Sequence, residues 1–170
     1  MSLRRIAAAA AAVCLAAPSR ADAQAVAGPA VSLSAGSRVY EGGAGLALAA
    51  ALRAEYPVSP FFLIEAAGSV ANRVEGIFGS TTSVLELQAQ AQLPGGPVVP
   101  YVGAGAGFAR FRERAAGFAR EGAVLSVGGG ARIGIRRQLG LVADARLRVD
   151  AGGDAEAHGD VTVGVRYRFR

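Results

Sequence analysis

The chain has 170 residues, among them 18 arginines and no lysine, against 13 acidic residues, for a formal charge of +5. That length suits one domain, and a single cysteine, Cys14, excludes a disulfide framework. The basic excess lacks the positive run with interleaved aromatics that marks a nucleic-acid face, so no nucleic-acid partner is expected.

At the N-terminus, Arg4 and Arg5 precede an apolar run from Ile6 to Ala17, and Ala21-Asp22-Ala23 follows. This is the order of a secretory signal peptide, with its positive start, apolar centre and A-x-A cleavage site. The run falls short of the roughly 20 residues that a spanning helix needs. Residues 1–23 are therefore expected to be a cleaved signal peptide and residues 24–170 an exported domain. Cys14 would leave with the signal.

Turn signals cut the rest into eight segments rich in alternating apolar residues. The first runs from about Ala30 to Arg38. The second is Gly45 to Tyr56, closed by Pro57-Val58-Ser59-Pro60. The third is Phe61 to Arg73, and the fourth is Ser83 to Leu93, closed by PGGPVVP. The fifth is Tyr101 to Arg112. The sixth is Ala123 to Ile135, closed by Arg136-Arg137-Gln138. The seventh is Leu139 to Val149, and the eighth is Asp160 to Arg170. Connections after the even-numbered segments are short. Those after the odd-numbered ones read as longer and charged. Short turns at one end and longer loops at the other predict an up-and-down barrel of the outer-membrane type. Segment lengths agree with the roughly 9–11 residues of a tilted membrane strand.

Each segment has two unlike faces, because successive side chains of a strand point to opposite sides. In the last, Val161, Val163, Val165, Tyr167 and Phe169 oppose Thr162, Gly164, Arg166, Arg168 and Arg170. In the fourth, Leu85, Leu87, Ala89, Ala91 and Leu93 oppose Glu86, Gln88, Gln90 and Gln92. A soluble barrel would turn the leucines inward; a membrane barrel turns them to lipid. Tyr56, Phe61, Phe62, Tyr101, Phe108, Phe111, Tyr167 and Phe169 gather near segment ends, as interfacial girdles do. The expected fold is thus all-β: an eight-stranded antiparallel transmembrane barrel with apolar faces outward, embedded in outer-membrane lipid.

The chain then resembles the small outer-membrane β-barrel family that includes the transmembrane domain of OmpA. The resemblance is carried by PYVGAGAGFAR (Pro100 to Arg110), VGGGARIGIRRQLGLVADARLR (Val127 to Arg148) and the closing VGVRYRF (Val163 to Phe169). It implies insertion by the barrel assembly machinery, which reads a terminal aromatic. Tyr167 and Phe169 are the candidates here, with Phe169 penultimate rather than last.

The inward positions hold ionisable groups of both signs: Arg53, Glu55, Glu65, Arg73, Glu86, Arg132, Asp144, Arg146, Arg148, Arg166 and Arg168. Eight strands leave a lumen just wide enough for side chains to fill. The expectation is a filled, salt-bridged interior and a structural or surface-interaction role. A narrow passive pore and a soluble lipocalin-like carrier are the alternatives. Arg73 is the expected partner of Glu86. Gly103, Gly105, Gly107, Gly128, Gly130 and Gly134 leave room inside, which the long arginines Arg38 and Arg53 of the first and second strands would fill; a small ligand cavity is the alternative. His158, beside Asp154, Glu156 and Asp160, reads as part of a solvated acidic loop rather than a metal site. No serine lies close to it in sequence, so neither catalysis nor a cofactor is expected.

Overall fold

The computed structural model describes residues 28–40, 46–75, 78–113, 118–151 and 157–169. The expected signal peptide lies outside the described residues, as do Asp154 and Glu156. Eight strands form one closed antiparallel barrel in sequence order: β1 (Ala30–Tyr40), β2 (Leu46–Pro57), β3 (Phe62–Glu75), β4 (Phe78–Gln92), β5 (Val98–Glu113), β6 (Phe118–Gly134), β7 (Leu139–Asp150) and β8 (Ala157–Arg168).

Closure depends on β1 and β8, whose register runs from Ala30 opposite Arg168 to Tyr40 opposite His158. Beyond it, the Phe169 amide donates to the Pro29 carbonyl at 2.9 Å. Gly28 enters this seam with φ of +119°, a conformation that side-chain-bearing residues rarely adopt, and a Cβ there would lie 2.6 Å from the Phe169 carbonyl oxygen. The short turns are tied internally. Ser59 Oγ accepts from the amides of Phe61 and Phe62 at 3.2 and 3.1 Å. The amides of Ile135 and Arg136 both donate to Leu139 O, at 3.0 and 2.9 Å.

The alternation of the sequence becomes an inside-out protein. Buried polar or charged side chains outnumber buried apolar ones, 21 to 13, among the described residues. Meanwhile Leu48, Leu52, Leu85, Leu87 and Leu125 are each about 60% exposed or more. A soluble monomer rarely presents so much contiguous apolar surface. The leucine faces point outward on every strand that carries them, which overturns the lipocalin-like carrier. Tyr56, Phe61, Phe62, Tyr167 and Phe169 lie exposed at the turn end, where a girdle belongs.

Three expectations need correction. Tyr101 is no girdle residue: it shares parity with Gly103, Gly105 and Gly107 and points into the lumen, 4% exposed. His158 is not a loop residue, because β8 starts at Ala157 and its side chain, like that of Asp160, is buried inside. The charged connections are also shorter than expected, because the strands run into them. β3 to β6 have 14, 15, 16 and 17 residues, against 11 or 12 in the other four. β6 pairs with β5 from Phe118 onward but with β7 only from Val124. Its first residues therefore stand beyond β7, and the β5–β6 hairpin overhangs the rim at the loop end.

The outward assignment has a direct test. Leu87→Arg should lower barrel stability by about 2–4 kcal/mol in reversible urea unfolding from lipid vesicles, the midplane cost of a lipid-facing arginine. Leu93→Arg, exposed at the turn end, should cost about 0–1 kcal/mol. Equal losses at the two positions would overturn the orientation.

Candidate functional site: the charged lumen

The inward face of each strand delivers its polar side chains to one narrow interior. Six arginines (Arg38, Arg53, Arg132, Arg146, Arg148, Arg166) and five carboxylates (Glu55, Glu65, Glu86, Asp144, Asp160) are buried there. An isolated charge in such a place would be prohibitively costly, so each needs a partner and hydrogen bonds.

At the loop end, Arg38 Nε and Nη2 donate to the two carboxylate oxygens of Asp160 at 2.6 and 2.8 Å. Arg148 donates to the same carboxylate and reaches Glu86 through Nη2 at 2.5 Å and Nε at 3.2 Å. His158 lies beside this group, its ring centroid 5.9 Å from that of Tyr40. Tyr40 Oη lies 3.0 Å from Thr82 Oγ1. Two small apolar clusters sit among these polar groups. One is Ala47, Ala49 and Ala71 against Tyr40; the other is Val84, Ala109 and Val124.

In the middle, Arg146 holds three carboxylates: Asp144 through Nε at 2.8 Å, Glu86 through Nη1 at 2.7 Å and Glu65 through Nη2 at 2.6 Å. Asp144 also accepts from Arg53 Nη2 at 3.0 Å and from the Tyr101 hydroxyl at 2.5 Å. Arg53 bonds Ser34 and Thr162 at 2.8 and 3.0 Å, and its Nε lies 3.8 Å from Glu65.

Toward the turn end, Glu55 Oε2 accepts from Arg166 Nε and Nη2 at 3.0 and 2.8 Å, and lies 3.2 Å from Arg132 Nε. The Arg132 guanidinium stacks 3.8 Å over the Tyr101 ring and donates to Gln90. A planar, delocalised cation suits both contacts in a way that an ammonium would not.

The structure thus brings together Arg53, Glu55, Glu65, Glu86, Arg132, Asp144, Arg146, Arg148 and Arg166. Arg73 and Arg168 face inward nearer the ends, partly exposed. Glu86 is held by Arg146 and Arg148 of β7 rather than by the expected Arg73, which sits opposite Ser80 on the β3–β4 ladder. The partners come from across the lumen, where guanidinium reach matters more than strand adjacency. Asp160 and Tyr101 belong to the network but not to the sequence-derived set. Parity alone would have placed both inside.

The glycine-lined wall is filled from its neighbours. A Cβ at Gly105 would lie 2.4 Å from Gln88 Cγ, one at Gly128 2.8 Å from Arg146 Cγ, and one at Gly130 2.8 Å from Tyr101 Oη. The space expected for arginines of β1 and β2 is therefore taken mainly by β4 glutamines, Tyr101 and the stem of Arg146. Tyr167 and Phe169 are not part of this interior. Their rings pack edge to face on the outside, 5.2 Å apart.

Truncating one partner of this network leaves a buried charge uncompensated. Glu86→Gln should therefore cost about 3–5 kcal/mol in urea unfolding from lipid vesicles. Tyr101→Phe keeps the stack on Arg132 and loses the bond to Asp144, for about 1.5–3 kcal/mol. An unchanged midpoint for Glu86→Gln would mean that water, not Arg146 and Arg148, solvates the carboxylate.

The family model described as outer membrane protein beta-barrel domain matches residues 6–169. No curated protein matches the sequence. Among solved structures, Neisserial surface protein A superposes with a TM-score of 0.69 at 16% identity, covering 83% of this chain and 96% of that one. Ail of Yersinia pestis, solved with the heparin analogue sucrose octasulfate, gives 0.57 at 15% identity, covering 84% and 97%. The N-terminal barrel domain of Pseudomonas aeruginosa OprF gives 0.54 at 14% identity, covering 81% and 97%.

Proposed function

Because the chain belongs to the outer membrane protein beta-barrel domain family, we propose that it is a non-conducting, non-catalytic outer-membrane anchor that acts through its surface rather than its lumen. The observation that carries this reading is the contact of Glu86 on β4 with Arg146 and Arg148 on β7. Side chains from distant strands meet across the interior, and the ionisable groups are committed to one another. An ion would have to displace these pairs in order to pass, and a reacting group would have to be freed from them.

The acting surface in this reading is the overhanging β5–β6 hairpin. Its outer face carries Arg110 and Arg112, with Arg110 Nε 3.1 Å from Glu121 Oε1 in an exposed pair. Exposed pairs contribute little to stability, so these charges are at liberty to serve recognition. The likeness to a Neisserial surface protein and to Ail, an attachment invasion locus protein, is compatible with such a role, although at this identity it speaks only for the fold. The same reading has the signal peptide of residues 1–23 export the chain, and has the assembly machinery read Tyr167 and Phe169. Both rings are exposed, Tyr167 on the strand that closes the barrel and Phe169 just past its end.

Reconstituted in planar bilayers, the protein should show no steady current at moderate voltage. Long-lived, ohmic channels in the unmodified protein would overturn the filled-lumen reading and favour the narrow pore.

A further inference from the structure

A cavity of about 330 Å³ opens at the turn end of the barrel, beside the β6–β7 turn. Five arginines line it, Arg132, Arg136, Arg137, Arg166 and Arg168, and among the described residues no carboxylate does. The acid bonded to the two deeper ones is Glu55, and a single oxygen of it serves both Arg166 and Arg132. The β6–β7 ladder places Gly134 opposite Gly140 at this point. A Cβ on Gly134 would meet no atom closer than the Pro97 carbonyl at 3.8 Å. Side chains are thus missing where cations converge.

The walls of the cavity differ from its floor. Ile135 and Leu139 are exposed at its edge, on the outward, lipid-facing side of the barrel. A cationic basin joined to an apolar outer rim complements an amphiphile whose head is an anion. Guanidinium groups match the oxygens of a phosphate in bidentate geometry. The long β3–β4 and β5–β6 hairpins project at the other end, and the end of an outer-membrane barrel without projecting hairpins faces the periplasm, so the leaflet at this level is the periplasmic one.

We propose that this cavity binds the headgroup phosphate of an anionic phospholipid from the periplasmic leaflet, with the acyl chains lying against the outer strand faces near Ile135 and Leu139. Free phosphate offers the same oxygens but would make no use of the apolar rim. The site is independent of conduction: a barrel that passed ions would carry the same five arginines.

Native mass spectrometry of the protein refolded in neutral dodecyl-maltoside micelles tests this. Titrated with dioleoyl-phosphatidylglycerol, it should retain one lipid about tenfold more tightly than dioleoyl-phosphatidylcholine, whose choline offsets the phosphate charge. Arg136→Gln with Arg137→Gln, on the exposed turn, should remove about that tenfold preference. Gly134→Val, which puts an apolar side chain into the cavity without removing any arginine, should do the same, and it decides the matter if the double variant does not refold. Arg110→Gln with Arg112→Gln, at the opposite end, should leave the preference intact. Equal retention of the two lipids, or an equal loss from the Arg110 and Arg112 changes, would overturn the site. Inorganic phosphate bound as tightly as phosphatidylglycerol, and lost in the same variants, would overturn the lipid as its occupant.

Discussion

The guanidinium of Arg146 holds carboxylates from three strands at once: Asp144 of its own β7, Glu65 of β3 and Glu86 of β4. Much of the interior follows from that one convergence. Glu86 passes the connection to Arg148, Arg148 to Asp160, and Asp160 to Arg38. Asp144 passes it the other way to Arg53 and to Tyr101, whose ring supports Arg132. Desolvated charges are tolerable only in such mutual arrangements. The network therefore restricts which strands can face each other and at what height.

A soluble domain obtains its core from apolar burial and spends polar groups on the surface. This barrel does the reverse, since lipid supplies the apolar environment for Leu48, Leu87 and Leu125. The backbone groups must then be satisfied by ladder hydrogen bonds alone, because lipid offers none. A closed circuit of strands meets that demand, and the β1–β8 seam completes it. The inside of the circuit is left to be filled with polar groups. Arginine suits the task better than lysine would, because one planar fork can serve two or three carboxylates at once.

The two ends of the barrel have different characters. At the loop end the wall is uneven, with β5 and β6 rising past β7, and small apolar clusters sit beside the Arg38–Asp160 pair. At the turn end the tight Arg136–Arg137–Gln138 connection and the bare inner face of Gly134 leave a basin instead. Positive charge accumulates there because Glu55 answers to two arginines. The buried ion pairs thus lie between a projecting hairpin and a cationic recess.

Strand number, direction and the division of residues into inside and outside were legible from the sequence, because a period of two is written into every strand and survives folding unchanged. Glu86, Gln88 and Gln90 against Leu85, Leu87 and Ala89 could be assigned without any knowledge of neighbours. The apolar outer face and the export pattern pointed to the outer membrane for the same reason. What parity could not supply was height. Two residues that both point inward meet only if the stagger of the closed sheet brings them level. So Glu86 was matched to Arg73 on the adjacent β3, whereas Arg146 and Arg148 reach it from β7. Tyr101 was assigned by its ring, when its parity with Gly103 already placed it inside. His158 looked like a loop residue because charged residues normally mark a strand's end. In this barrel the lumen is itself the polar phase, so strands continue through charged sequence as long as arginines stand opposite. The membership of each face is a local property of the chain; the pairing across the lumen is a property of closure, and only the folded barrel determines it.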